Sequence, residues 1–524
     1  MTGRVYLVGA GPGDPGLLTL RGQRCLAAAD VVLHDDLVNR RLLEHVRPDA
    51  EVIALGGLHG DPARLPQPAV ETLLVERARA GKRVVRLKNG DPFLFGRGAE
   101  EAEALRTAGV PFEVVPGVTS ALAVPAYAGI PATQRDRASL VTIVTGHQAR
   151  DAAGTATPPP LPWEALARQG GTLIFLMAVR QLAAILDQLI AHGLDPATPA
   201  AAVARGTTAD QTTLVATAAT LAARAAAAGL SPPAVVVVGD VVGLREHVRW
   251  VEARPLFGRR VVLTRPRAQA GEAARMLEDL GADVVPFPTI AIGPAPDPAA
   301  FDRAVAAAAT YDWIVFTSVN GVRVFFERFA AAGRDVRELS RARLAAIGPE
   351  TAAELTRRLL RPAVVATDYR AEGLLAALEG HDLAGRRVLL PRAAGARVVL
   401  PDTLRARGAH VDEALAYRAV APPDADVAGL RAALADGRID AVTFTSSSTV
   451  QGFVDLLGGG EVRRLVRDGR PAIACIGPVT AATARELGLP VDVAPATYTM
   501  PALVDALVEH FCNASGDPLE RSDG

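Results

Sequence analysis

The sequence predicts an α/β protein in two unlike halves, each folded as a pair of lobes. Three observations carry the prediction. The first half alternates short apolar runs with amphipathic, alanine-rich segments, the pattern of βαβ units. Arg245–Phe257, REHVRWVEARPLF, interrupts that pattern, and Pro255 blocks helix continuation before a fresh strand at Arg260–Thr264. The second half then repeats itself. At 524 residues the chain exceeds one core, and two to four domains are expected.

In order, the first half offers strands at Val5–Gly9, Val31–His34, Val84–Leu87, Phe112–Val115, Leu140–Thr145, Thr172–Met177, Ala200–Ala204 and Ala234–Val238. Pro116-Gly117 and Thr119-Ser120 punctuate the middle and divide residues 1–247 into lobes of about 1–117 and 118–247. Ala149–Pro162, ARDAAGTATPPPLP, is expected to be a surface loop over a site. Residues 248–257 are expected to be a linker.

The duplication occupies residues 258–512. GRRVVLTRPR at Gly258 recurs as GRRVLLPRAA at Gly385. DWIVFTSVNGVRVFF at Asp312 recurs as DAVTFTSSSTVQGF at Asp440. LAAIGPETAAEL at Leu344 recurs as IACIGPVTAATARELG at Ile473. The offsets are 127, 128 and 129 residues. A unit that long is no solenoid repeat and predicts two related α/β lobes with a ligand cleft between them. Residues 513–524 are polar and expected to be a disordered tail.

Composition removes several function classes. Net charge is −1, which gives no global field for nucleic acid or an anionic membrane. No apolar run approaches the roughly 18 residues of a bilayer span, and MTGRVYLVGAG lacks a signal-peptide layout. Cys25, Cys475 and Cys512 are scattered, forming neither a metal spacing nor a disulfide framework, so a cytoplasmic protein without a metal is expected. Lys82 and Lys88 are the only lysines; arginine supplies the other cations, and its planar fork suits carboxylates.

Two loops concentrate the chemistry of the first half. In Val84–Glu101, VVRLKNGDPFLFGRGAEE, the turn Asn89-Gly90-Asp91-Pro92 frees backbone groups at a strand's carboxyl end, where open α/β sheets bind ligands. Val8–Leu18, VGAGPGDPGLL, with Asp35 after the next strand, imitates a dinucleotide fingerprint. The imitation fails in detail, because Asp14 holds the third glycine position and Pro12 removes an amide that would face a pyrophosphate. A nicotinamide cofactor is therefore disfavoured.

Together VYLVGAGPGDPGLLTLRG, DVVLHDDLV, VVRLKNGDPFLFGRGAEE, EVVPGVTSALAVPAYAGIPATQRDRAS, TIVTGH, TLIFLM and ARGTTADQ resemble, in that order, the uroporphyrinogen-III C-methyltransferases over most of residues 1–245. The resemblance implies a tetrapyrrole methyltransferase fold of two αβα lobes, unlike the Rossmann methyltransferases, holding S-adenosyl-L-methionine. By position, Pro12, Asn89, Gly90, Asp91, Leu94, Thr119, Ser120, Met177 and Gly206 would line the cofactor. Taken alone, Met177 reads as core, Asp91 as a turn residue, and Thr119-Ser120 as a helix cap. Asp35 occupies the family's acid position and would be the catalytic base. Arg97, Arg135 and Arg137 would grip substrate carboxylates. The chain departs from the family where Gly57 replaces a lysine proposed as proton donor. Either Arg135 or water substitutes, or methylation is altered. A homodimer through this half is implied by the same resemblance.

The second half has no Ser-His-Asp arrangement and no phosphate loop, but many hydroxyls at strand ends. Thr264, Thr317, Ser318, Thr445, Ser446 and Thr480 could bind carboxylates, with helix capping as the alternative. VVLTRPRAQA, VFTSVNGV, AAIGPETA, ALAYRAV, VTFTSSSTV, ACIGPVTAATARELGL and YTMPALVDAL resemble uroporphyrinogen-III synthase over residues 258–510. That implies two flavodoxin-like α/β lobes, about 258–290 plus 420–512 and about 291–419, joined by a two-stranded connection. Tyr417 and Tyr498 could help a hydroxyl leave as donors.

The expectation is thus a fusion of two consecutive activities on small-molecule tetrapyrroles, with no nucleic-acid or membrane partner. Its rivals are a methyltransferase of altered or lost activity, and a synthase-like half that only binds tetrapyrroles.

Overall fold

Five strands, β1 (Arg4–Gly9), β2 (Val31–His34), β3 (Glu51–Ala54), β4 (Arg83–Lys88) and β5 (Phe112–Val115), form a parallel sheet in the order β3-β2-β4-β1-β5. The central strands are runs of Val and Leu because both faces are covered. Val5, Leu7, Val31, Leu33 and Val84 pack on one side with Val70, Leu74 and Ala78 of the helix Gln67–Arg79. Val8, Val32, Val85, Leu87 and Val115 pack on the other with Cys25 and Leu26 of the helix Leu20–Ala28. The edge strand β3 was not foreseen, since three of its four side chains are exposed and its apolar signal is weak.

The computed structural model describes residues 3–56, 65–146, 149–150, 156–157, 161–423, 425–466 and 471–515. Contacts divide the chain into two units, Met1–Arg259 with Leu277–Asp283, and Arg260–Met276 with Val284–Gly524.

The first unit continues in β6 (Val141–Thr145), a short antiparallel pair β7 (Ala149–Arg150) and β8 (Ala156–Thr157), then β9 (Thr172–Leu176), β10 (Pro199–Ala204), β11 (Thr212–Thr217) and β12 (Ala234–Val238). The second sheet runs β11-β10-β12-β9-β6. A chain of βαβ units would make it parallel, but only β6 and β9 pair that way; the other three pairings are antiparallel. The connection 205–211 between β10 and the unforeseen β11 is too short for a parallel crossover, which needs about a dozen residues. Apart from β7, β8 and residues 161–162, the loop expected at 149–162 lies outside the described residues.

The second unit holds two sheets. β13 (Arg260–Leu263) and β14 (Asp283–Pro286) open it, followed by β15 (Ala291–Gly293), β16 (Trp313–Phe316), β17 (Arg343–Ala346), β18 (Val364–Val365), β19 (Arg387–Ala393), β20 (His410–Val420), β21 (Ala441–Phe444) and β22 (Ala472–Cys475). One sheet is β14-β13-β21-β22 and the other β15-β20-β19-β16-β17-β18. In sequence, β13, β16 and β17 belong to the first copy of the duplication and β19, β21 and β22 to the second. In space the copies are exchanged. β13 pairs with β21 of the second copy, and β19 pairs with β16 of the first. β15 and the long β20 pair antiparallel where the chain passes between lobes.

The last helix runs Met500–Ser515, so the expected disordered tail is helical at residues 513–515; residues 516–524 lie outside the described residues. Among the described residues no helix is long and apolar enough to cross a membrane, and no cluster of His, Cys, Asp or Glu could hold a metal ion.

Candidate active site

Three glycines meet where β5, β1 and β4 end. A Cβ on Gly9 would lie 2.5 Å from Gly117 Cα and 2.6 Å from Gly90 O, and one on Gly117 would lie 2.3 Å from Gly90 O. No other residue permits this backbone approach. Gly11 and Gly90 exchange both backbone bonds, at 3.2 and 2.8 Å, which clips the loop carrying Pro12 to the Asn89–Asp91 turn. Asp91 serves that turn directly. Its Oδ1 accepts from Phe93 N at 2.8 Å and its Oδ2 from Gly117 N at 3.0 Å.

The second lobe of the unit closes on the same place. Thr119 caps the helix Ser120–Tyr127, its Oγ1 accepting from Ala121 N at 3.2 Å. The vacant Cβ direction of Gly90 points to Ser120 N at 3.8 Å and Thr119 Cα at 3.9 Å, and that of Gly13 reaches Gly206 O at 3.4 Å. Leu94 packs into the second lobe's cluster with Ala121, Val124, Leu176 and Val203. Met177 follows Leu176 with a left-handed backbone, φ 55°, and is 50% exposed. An unbranched apolar side chain held open in that conformation is no core residue, which corrects the reading of Met177 as core. The loop around Pro12, the Asn89–Asp91 turn, Thr119, Ser120 and Gly206 thus come together where the two lobes meet.

Beside this junction lies a buried charge cluster that the sequence reading saw only in part. Arg86, 4% exposed, donates from Nη2 to Asp35 Oδ1 at 2.5 Å and from Nε to Glu101 Oε1 at 3.1 Å. Lys88 Nζ donates to the same Glu101 oxygen at 2.9 Å. Asn89 N approaches Asp35 Oδ2 at 3.4 Å. Burial opposes ionisation of Asp35, but Arg86 and Lys88 outweigh it and hold the carboxyl below its usual range. Burial first, then the neighbouring Arg86, lowers the Lys88 ammonium. The signal left unused was Glu101, at the fourth position of the helix Gly98–Thr107, as a partner for Lys88, one of only two lysines.

Arg97 precedes that helix with φ 58° and forms a bidentate pair with Glu100 at 2.9 and 2.6 Å, which raises its pKa. Arg135 and Arg137 are exposed in the turn closed by the Gln134–Ala138 bridge. Gly57 lies outside the described residues.

In the second unit, each lobe presents helix starts at the ends of its parallel strands. Ser318 caps Val319–Ala331 and Ser446 caps Ser447–Leu457. Gly348 and Gly477 precede Pro349–Thr356 and Pro478–Glu486. Ser318 Oγ accepts from Gly321 N at 2.9 Å and lies 2.9 Å from Tyr417 Oη. Tyr417 is 8% exposed, and burial pushes its hydroxyl pKa up. Thr317 and Thr445 are half-buried beside these caps.

Two of the expected hydroxyls are buried. Thr264 is fully buried and its Oγ1 donates to Thr443 O at 2.7 Å inside the sheet. Thr480 is also buried, in the first turn of its helix. The Thr264 hydroxyl is thus spent on a backbone carbonyl of the neighbouring strand and is turned away from any substrate.

The structure adds a tyrosine. A Cβ on Gly348 would lie 3.0 Å from Tyr369 Cδ1, and one on Gly477 would lie 3.0 Å from Tyr498 Cδ1. Tyr369 and Tyr498 stand 129 residues apart, the spacing of the duplication, and are 46% and 49% exposed. Arg370, next to Tyr369, lies within electrostatic range of Tyr498.

A lobe junction of close-packed glycines, followed by a duplicated and exchanged pair of α/β lobes, defines a two-part α/β enzyme. Residues 4–222 match the family Tetrapyrrole (Corrin/Porphyrin) Methylases, and residues 271–505 match Uroporphyrinogen-III synthase HemD. The chain is 36% identical over 517 residues to the porphyrin biosynthesis protein HemD of Ruminiclostridium josui, covering 97% of this chain and 98% of that protein. It is 40% identical over 358 residues to the uroporphyrinogen-III C-methyltransferase of Bacillus subtilis, covering 68% and 72%. It is 47% identical over 244 residues to the S-adenosyl-L-methionine-dependent uroporphyrinogen III methyltransferase of Methanosarcina barkeri, covering 47% and 94%. The chain belongs to the porphyrin biosynthesis family in which a tetrapyrrole methylase precedes a uroporphyrinogen-III synthase.

Proposed function

We propose that the chain performs two consecutive reactions on tetrapyrroles. The C-terminal unit closes hydroxymethylbilane to uroporphyrinogen III, inverting ring D. The N-terminal unit methylates uroporphyrinogen III twice, giving precorrin-2. The methyl donor is S-adenosyl-L-methionine, as named for the Methanosarcina relative. When bound, it supplies an electrophilic methyl on sulfur.

The junction suits that donor. Gly90 has φ 65°, and any side chain there would fill the gap beside Thr119 and Ser120. Pro12, Asn89, Gly90, Asp91, Leu94, Thr119, Ser120, Met177 and Gly206 would hold it, through backbone groups and apolar cover. Asp35, kept ionised by Arg86, accepts the proton lost from the methylated ring. Arg97 and Arg135 hold substrate carboxylates. In the second unit Tyr417, oriented by Ser318, donates to the departing hydroxyl, while Thr317, Ser318, Thr445, Ser446 and Tyr498 hold the folded chain of pyrroles. The enzyme is a cytoplasmic homodimer paired through its N-terminal unit, which sedimentation of the whole chain tests.

The observation that carries the reading is the clipping of the Pro12 loop to the Gly90 turn at the three-glycine contact. The test supplies hydroxymethylbilane with and without the donor and identifies products. Isomer III is expected without donor and a product with two added methyls with it. Spontaneous isomer I sinks the synthase, and unconsumed donor sinks the methyltransferase. Gly57 favours a second reading, in which methylation is slowed or altered; a single added methyl would establish it.

A further inference from the structure

The segment Arg245–Phe257, expected to be a linker, is packed against the first unit. Trp250 Nε1 donates to Ala126 O at 2.9 Å, its ring meets Tyr127 edge-on at 5.3 Å, and the Arg254 guanidinium lies 4.8 Å from its centre. Arg245 bonds both Ala128 O and the Glu252 carboxylate. Gly129 can have no Cβ, because one would lie 2.6 Å from Arg249 Cα. Val251 and Leu256 are buried. A mere tether needs none of this.

Two chains of contacts run from this strap to a single residue, Asp14. Along the first, Trp250 packs on Tyr127, and Tyr127 Oη donates to Asp14 Oδ2 at 2.7 Å. Burial, and then Asp14 itself, raise the Tyr127 pKa, so the tyrosine is the donor. Along the second, Glu252 Oε1 accepts from Gln211 Nε2 at 2.8 Å and from Thr213 Oγ1 at 2.7 Å. Gln211 Oε1 accepts from Thr207 N at 2.9 Å, and Thr207 Oγ1 accepts from Asp14 N at 3.2 Å. Gln211 and Thr207 are each 6% exposed, and Thr207 is left-handed at φ 65°, so the second chain is buried and conformationally specific. Asp14 closes the loop after β1, its Oδ1 accepting from Gly16 N at 2.7 Å. Thr207 directly follows Gly206.

We propose that the strap is a positioning element for the methyl-donor pocket, in which Trp250 and Glu252 set Pro12 through Asp14 and Gly206 through Thr207. The inference rests on the methyltransferase reading of this unit. It makes the segment between the two activities a working part of the first.

The test uses the full chain. S-adenosylhomocysteine binding is measured by calorimetry, donor KM and kcat by methyl transfer, and hydroxymethylbilane cyclisation serves as a control on the rest of the chain. Tyr127→Phe, Trp250→Ala and Glu252→Ala should each weaken binding and raise donor KM about tenfold, the loss of one hydrogen bond or packing contact, with kcat little changed. Trp250→Phe should recover most of the affinity by restoring a ring. The double variant Tyr127→Phe/Glu252→Ala should lose less than the product of its singles, because both act on Asp14. Unchanged donor affinity in Tyr127→Phe and Trp250→Ala, or a fall in kcat alone, overturns the inference. A wild-type chain that binds no S-adenosylhomocysteine sinks the methyltransferase reading and this inference with it, whereas wild-type binding with indifferent variants sinks the inference alone.

Discussion

Tyr417 holds its hydroxyl 2.9 Å from Ser318 Oγ across 99 residues of chain. Ser318 also caps a helix, so one hydroxyl joins a helix start to the end of the crossover strand β20. If Tyr417 donates to the departing hydroxyl, Tyr417→Phe lowers the cyclisation kcat by about 10²-fold and leaves KM nearly unchanged. Ser318→Ala should cost less, because it leaves the donor hydroxyl of Tyr417 in place. Rates of isomer III formation check both, and wild-type turnover in Tyr417→Phe would remove the tyrosine from the mechanism.

Asp35 is held ionised by Arg86, with its carboxyl below the usual range. The methyl-transfer rate should therefore show no acid limb from this group between about pH 5 and 8, because its protonation lies below ordinary carboxylate values near pH 4. Asp35→Asn should lower methyl transfer by about 10²-fold while the synthase activity persists. A pH profile of transfer from labelled donor checks this.

Glu101 is the anion shared by Arg86 and Lys88, and its side chain is fully buried. Glu101→Gln leaves buried cations under-compensated and should destabilise the first unit by about 3–5 kcal/mol. Urea unfolding of the variant is the measurement, and an unchanged midpoint would show that the cluster relaxes without cost.

In the second unit Glu354 is 4% exposed and accepts from Arg323, Arg357 and Arg358 at 3.3, 2.6 and 2.5 Å. Burial opposes its charge, but the arginines prevail and push its pKa down to about 2. A folded-state value below the unfolded one stabilises above the unfolded pKa, and the benefit fades as pH falls from about 4.5 toward the folded value. Glu354→Gln should lose on the order of 2–3 kcal/mol at pH 7, after allowance for the exposed Arg357, and progressively less below pH 4.5. Thermal melts of both proteins across that range check the sign.

Much of the fold was legible because it rests on local patterns. β2 and β12 are found where Val31–His34 and Ala234–Val238 were expected, since continuous apolar runs mark strands covered on both faces. β3 and β11 escaped because edge strands bury little and carry a weak pattern. The glycines at 9, 90 and 117 looked like ordinary turn residues; only the backbone distances show why no side chain fits. Thr264 and Ser318 are both hydroxyls at strand ends, yet one is spent on a neighbouring strand and the other caps a helix beside Tyr417.

By itself the sequence determined the two-part α/β plan, the duplication of the second half and the loops where chemistry gathers, because strand periodicity, glycine turns and long-range repeats are written along the chain. Only the tertiary structure decided that the second sheet of the first unit is mostly antiparallel, that Lys88 and Glu101 complete the cluster around Arg86, and that the supposed linker grips Asp14 by two routes. The last two depend on side chains far apart in sequence finding one another, and burial makes each such meeting specific, since an unpaired polar group in the interior costs more than its hydrogen bond returns.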